Sequence, residues 1–92
     1  MIGSYKMKNF KILVADDYHE FDTVPKGHKI KELGCFPAKG YKHSMYFAVQ
    51  YTGKKPSQLE VWDAIYPLLL PHDNMNYYIH IIADIKEAWE SK

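Results

Sequence analysis

Met45-Tyr46-Phe47-Ala48-Val49-Gln50-Tyr51 decides how this chain is read. Met45, Phe47, Val49 and Tyr51 fall on one face, and Ser44, Tyr46, Ala48 and Gln50 on the other, the period-2 alternation of a strand. Thr52, Gly53, Lys54, Lys55 and Pro56 then end it. Upstream, Phe10, Ile12 and Val14 alternate with Lys11, Leu13 and Ala15, and both sets are apolar enough for a central strand. Tyr5 and Met7 alternate in the opposite phase, so a bulge or break is expected near Asn9. Between the two runs, Pro25, Gly27, Gly34, Pro37 and Gly40 punctuate residues 22–43. Such spacing limits any element to a few residues: a short strand fits over 28–33, and the rest reads as loop.

Downstream of Pro56 the period changes to that of a helix. Ser57 and Glu60 have the spacing of a capping box, in which each side chain satisfies a free amide at the helix start. Leu59, Trp62, Ile65, Tyr66 and Leu69 follow at helical intervals. Pro67 has no amide hydrogen and clashes one turn back, so the helix is expected to kink or end near Tyr66. Pro71, His72, Asp73 and Asn74 form a turn with Asp73 as N-cap. Tyr77, Tyr78, Ile81, Ile82, Ile85, Ala88 and Trp89 then mark one helical face, opposite Asn76, His80, Asp84, Glu87 and Glu90, with only Ile79 out of pattern. A strand over 77–82 followed by a short helix competes, because isoleucine and tyrosine favour strands. The longer periodicity favours one helix. The expected fold is therefore α+β: a small antiparallel sheet of three or four strands over residues 5–52, covered on one face by two C-terminal helices, in a single domain over 1–92. Trp62, Ile65, Leu69, Ile81, Ile82, Ile85 and Trp89 are expected to meet Phe10, Ile12, Val14, Phe47 and Val49 in the core.

Composition bounds the function classes. The 92 residues are 47% hydrophobic and 25% charged, the balance of a folded globular protein. No apolar run approaches the ~20 residues of a membrane span, and no leader pattern is recognisable. With a single cysteine, Cys35, there is no disulfide framework, and a cytoplasmic setting away from membranes is expected. The net charge of +1 is unevenly spread: residues 1–55 carry +5 and residues 56–92 carry −4. Two binding faces, or complementary faces of a homodimer, are the functional readings of that split. All twelve basic residues are lysine. Arginine's planar fork is the usual reader of guanine and phosphate, so sequence-specific base recognition is disfavoured.

The chemical candidates fail on spacing. Lys11-Ile12-Leu13-Val14-Ala15-Asp16-Asp17 resembles the first strand of a response-regulator receiver, where paired acids hold Mg²⁺. A receiver needs a doubly wound parallel sheet, more chain than remains, so the two aspartates read as a polar strand end. His19, His28, His43, His72 and His80 show no spacing that puts two imidazoles on one helical face. His19 sits among Asp17, Glu20 and Asp22, which read as solvated turn residues. Cys35 and His43 lack an orienting third group and an oxyanion hole. No catalytic residue, metal or cofactor is expected.

Surface character remains. Eight tyrosines, four phenylalanines and two tryptophans exceed what so small a core holds. Tyr18, Tyr41, Tyr46, Tyr66, Tyr77 and Tyr78 are the candidate protein-binding residues, since tyrosine is enriched at protein interfaces. The leading expectation is a non-catalytic protein-binding module or homodimer. By size alone it is analogous to small inhibitors and modulators encoded by phages and mobile elements. The alternative is nucleic-acid binding through residues 26–55. There Lys26, Lys29, Lys31, Lys39, Lys42, Lys54 and Lys55 oppose only Glu32, interleaved with Phe36, Tyr41, Tyr46, Phe47 and Tyr51. A small enzyme is the third and weakest reading.

Overall fold

A computed structural model describes residues 8–91 of the chain; the alternation of Tyr5 and Met7 lies outside the described residues. Three strands, β1 (Phe10–Ala15), β2 (Lys29–Pro37) and β3 (Ser44–Tyr51), form an antiparallel sheet in the order β1-β3-β2. Helices α1 (Gln58–Ile65) and α2 (Met75–Glu90) follow, so the α+β fold read from the sequence is the one observed, with three strands rather than four. No helix among the described residues is long and apolar enough to cross a membrane.

The alternation in β3 sets the two layers. Met45, Phe47 and Val49 face the helices and are buried, with Phe47 and Val49 at 0% exposure. Phe10, Ile12 and Val14 of β1 stand opposite Tyr51, Val49 and Phe47 and share that face. α1 lies over β1 and α2 over β2. Val61, Ile65, Ile81, Ile85 and Trp89 close the core from above. Ile82 is only half-buried and Ile79 is exposed, so the residue that broke the helical pattern is the one that faces solvent. The other sheet face is covered only in part. Phe21, from a 3-10 turn over Tyr18–Phe21, packs on Ala15 and Ala48.

β2 departs most from its sequence reading. It runs nine residues, through Gly34 and past the expected end at Leu33. A bulge inserts Leu33 between Glu32, opposite Ala48, and Gly34, opposite Phe47. The bulge lets Leu33 and Phe36 both bury on the helix side although they are three residues apart. Gly34 has φ +138°, and a Cβ there would stand 3.1 Å from the Phe36 ring, so only glycine fits. Pro37 is tolerated because it ends an edge strand. Its carbonyl accepts from Leu70 N–H at 3.1 Å on the outer side, where its missing amide breaks no ladder bond.

The helix ends follow local chemistry. Ser57 and Glu60 form the expected capping box, each side chain accepting from the other's amide at 3.1 Å. α1 gives way at Tyr66 to a 3-10 turn over Tyr66–Leu68, where Pro67 ends the α-helical ladder. Residues 75–90 form one helix, which settles the choice over 77–82. Its N-cap is Asn74, one residue after the expected Asp73. The C-terminus of α2 is closed by lysines from elsewhere. Lys31 Nζ donates to Ser91 O at 2.8 Å, and Lys55 Nζ donates to Trp89 O at 2.8 Å while lying 4.6 Å over the Trp89 ring. Positive charge there complements the exposed carbonyls and the helix dipole.

Candidate functional site

The six candidate tyrosines separate into three places. Tyr18 and Tyr46 meet edge-on at 5.9 Å on the sheet face away from the helices. Tyr41 is alone, in the β2–β3 connection, and lines a small hollow of about 170 Å³ with Leu70. Tyr66, Tyr77 and Tyr78 come together where the end of α1 meets the start of α2.

This last group is a continuous run of rings. Trp62 packs on Tyr66 at 5.7 Å, Tyr66 on Tyr78 at 5.4 Å, Tyr78 on Tyr77 at 5.0 Å, and the His72 ring stacks on Tyr77 at 4.6 Å. Aromatic pairs at such separations attract beyond the area they bury. Hydrogen bonds pin the run. Tyr78 Oη accepts from the His72 amide at 2.9 Å, and His72 Nδ1 accepts from the Asn74 amide at 2.9 Å. Tyr77 Oη is the one buried side-chain polar atom without a partner among the described residues. Burial, and then the neighbouring Tyr78, push its phenol above the ordinary tyrosine value.

Helical spacing extends the run into an apolar stripe on the solvent side. Leu59, Trp62 and Tyr66 succeed one another along one side of α1, and Met75, Tyr78 and Ile79 along one side of α2. Leu59 and Met75 are each 67% exposed, Ile79 55% and Tyr66 52%. Trp62 was expected in the core and is only half-buried, and His72, Leu59, Met75 and Ile79 were not among the protein-binding candidates. The clue was available: Leu59, Met75 and Ile79 are large apolar residues that the core has no place for. Pro67, read only as a helix terminator, also turns the chain so that Tyr66 meets Tyr78.

The seven candidate lysines do not form one surface. Lys31 and Lys55 hold the C-terminus of α2. Lys39 and Lys42 sit beyond the Pro37 end of β2, whereas Lys26, Lys29 and Lys54 sit at the other end of the sheet, where Lys29 and Phe10 both stand opposite Tyr51. A shallow hollow of about 320 Å³ at that end is lined by Lys8, Lys11 and His28, with Gln50 Nε2 3.2 Å from His28 Nδ1.

The remaining polar candidates have local partners. Asp17 caps the 3-10 turn by accepting from the His19 amide at 2.9 Å, and His19 Nδ1 lies 3.2 Å from Asp22 Oδ2. His43 Nε2 lies 3.6 Å from Asp16 Oδ1, and its Nδ1 lies 3.0 Å from Ser44 O. Cys35 stands opposite Tyr46 on β3 and is exposed. No group of three His, Cys, Asp or Glu side chains among the described residues is placed to hold a metal ion. Comparison of the chain with family models, with curated proteins and with solved structures finds no match.

Proposed function

We propose that this chain is a non-catalytic protein-binding module that docks through the apolar stripe across α1 and α2, with Tyr66 at its centre. The observation that carries this reading is the combination of rigidity and exposure. Tyr66 is held between Trp62 and Tyr78 and is still 52% exposed. A ring already fixed in place loses little entropy on binding, which is why such residues dominate interface energetics. Leu59, two turns before Tyr66 on the same side of α1, and Met75 and Ile79, flanking Tyr78 on α2, supply further exposed apolar area, the kind of surface that marks interaction sites. Small inhibitors and modulators work this way, by covering a partner's surface.

A photo-cross-linking side chain placed at Tyr66 tests the reading, with Val24 as control because it is exposed and apolar but outside the stripe. A discrete cross-linked species in the native lysate from position 66 and not from 24 is expected. Its mass separates a second copy of this chain from a different partner. Failure to cross-link, or equal cross-linking at both positions, contradicts the reading.

Nucleic-acid binding is kept as a second reading on one observation. Lys8 and Lys11, which line the hollow that also holds His28, add to Lys26, Lys29 and Lys54 at the same end of the sheet. It predicts binding to single-stranded oligonucleotides that weakens steeply with salt, lost in a Lys11→Glu/Lys29→Glu variant. Undetectable binding at low salt removes it.

A further inference from the structure

β2 is an edge strand, and an edge presents unpaired amides and carbonyls that a further strand can satisfy. The chain already uses part of this edge. Ala38 and Leu69 form an antiparallel bridge, with Lys39 N–H donating to Leu68 O at 2.8 Å and Leu70 N–H donating to Pro37 O at 3.1 Å. Successive residues of a strand direct their backbone polar groups to opposite sides. Since Pro37 and Lys39 direct theirs outward to 68–70, Cys35 directs its own amide and carbonyl outward as well. Along 33–36 no strand of the described chain covers that edge.

The uncovered stretch is the floor of a groove rather than a bare rim. A hollow of about 330 Å³ runs between β2 at 33–36 and the side of α2 formed by Asp84, Glu87, Ala88 and Ser91. Its strand wall is apolar at Leu33 and Phe36, and Gly34 leaves it without a side chain at the bulge. Its helix wall is acidic. Asp84 and Glu87 are one helical turn apart on the groove side, exposed, and neither has a cation within 4.0 Å among the described residues. The nearest basic group on β2, Lys31, is already bound to Ser91 at the groove's end. Lys86 stands between the two acids in sequence and so on a different side of the helix.

We infer that this groove takes an extended, lysine- or arginine-bearing peptide segment of a partner protein as a strand added to β2. Backbone bonds to the edge around Cys35 give affinity. Alternate side chains face Asp84 and Glu87 and select positive charge. The site is separate from the Tyr66 stripe, and neither depends on the other.

The test uses the full chain, ¹⁵N-labelled, with a six-residue peptide of alternating lysine and valine, its glutamate–valine counterpart, and the lysine peptide N-methylated at every residue, so that neither of its edges can donate. The lysine peptide is expected to shift amides of 33–36 and 84–91 and to slow hydrogen exchange at Cys35. The glutamate peptide should not bind, and the N-methylated one should bind roughly ten-fold more weakly or worse, because strand addition needs its amides. An Asp84→Lys/Glu87→Lys variant, changed only at exposed positions, should lose roughly ten-fold in affinity for the lysine peptide and keep its fold. Three results overturn the inference: no binding at millimolar peptide, shifts centred on another surface including the Tyr66 stripe, or equal binding of the N-methylated peptide, which would leave only charge attraction.

Discussion

Two sets of aromatic rings in this molecule have the same chemistry and opposite surroundings. Under the helices, Phe36 packs on Phe47 at 5.6 Å and Tyr51 on Trp89 at 6.0 Å, with Phe36, Phe47 and Trp89 all buried. At the end of α1 and the start of α2, Trp62, Tyr66, Tyr78 and Tyr77 pack at similar separations but stay half-buried or exposed. The first set joins the sheet to the helices. The second joins the two helices to each other, touches the core only through its half-buried members Trp62, Tyr77 and Tyr78, and leaves faces over. Ring packing alone therefore does not separate a core from an interface; what lies on the far side of the ring does. In the inner set Phe36, Phe47 and Trp89 are enclosed, down to Trp89 Nε1 donating to Pro56 O at 3.1 Å, and only Tyr51 is half-buried.

The largest expected effect comes from breaking the inner set. Phe47→Ala removes a side chain at 0% exposure and should cost about 3–5 kcal/mol in denaturant unfolding. A loss below about 1 kcal/mol would mean that the helices do not depend on this contact. The next effect sharpens the boundary between the sets, because adjacent tyrosines should respond with opposite signs. Tyr77→Phe removes a buried hydroxyl that has no partner and should stabilise by about 1 kcal/mol. Tyr78→Phe removes the acceptor of the His72 amide and should destabilise by about 1 kcal/mol. Like signs would contradict the hydrogen-bonding assigned to the pair.

A smaller effect tests the footing of the outer set. The Ser57 amide, and then the Ser57 hydroxyl, hold the Glu60 carboxyl below the ordinary carboxylate value. A group whose folded value is depressed contributes stability that is complete above the ordinary carboxylate range. That contribution is lost as the pH falls through the lowered value. Wild-type unfolding followed down to acid pH should show this loss, and Glu60→Gln, which retains a side-chain acceptor for the box, should show less of it. Identical acid profiles would place the helix-start stability elsewhere.

Much of the fold was legible because it rests on local chemistry. The period of β3, the capping box at Ser57 and Glu60, the stop at Pro67 and the long face of α2 each follow from neighbouring residues. β2 was not legible past Leu33, because Gly34 and Pro37 carry the signature of loop residues. What allows them is tertiary: a bulge opposite Phe47, the Phe36 ring over Gly34, and an outer edge where Pro37 needs no amide. Leu33, Phe36 and Ala38 were therefore missing from the expected core, as were Met45 of β3 and Val61 of α1. The tyrosines were legible as a surplus but not as groups, since nothing local says that Tyr66 meets Tyr78 while Tyr41 stands apart. The lysines were less legible still as a surface. A run in sequence became two ends of a sheet, with Lys31 and Lys55 diverted to the end of α2.

The most direct test of the outer set is the affinity of Tyr66→Ala for the partner that position 66 cross-links. The stripe reading predicts a loss of about 2 kcal/mol or more, near thirty-fold. Unfolding stability should fall by no more than about 1 kcal/mol, because a ring that is 52% exposed contributes little to the core. Unchanged affinity would contradict the reading, as would a stability loss as large as that of Phe47→Ala, since Tyr66 would then belong with the inner rings.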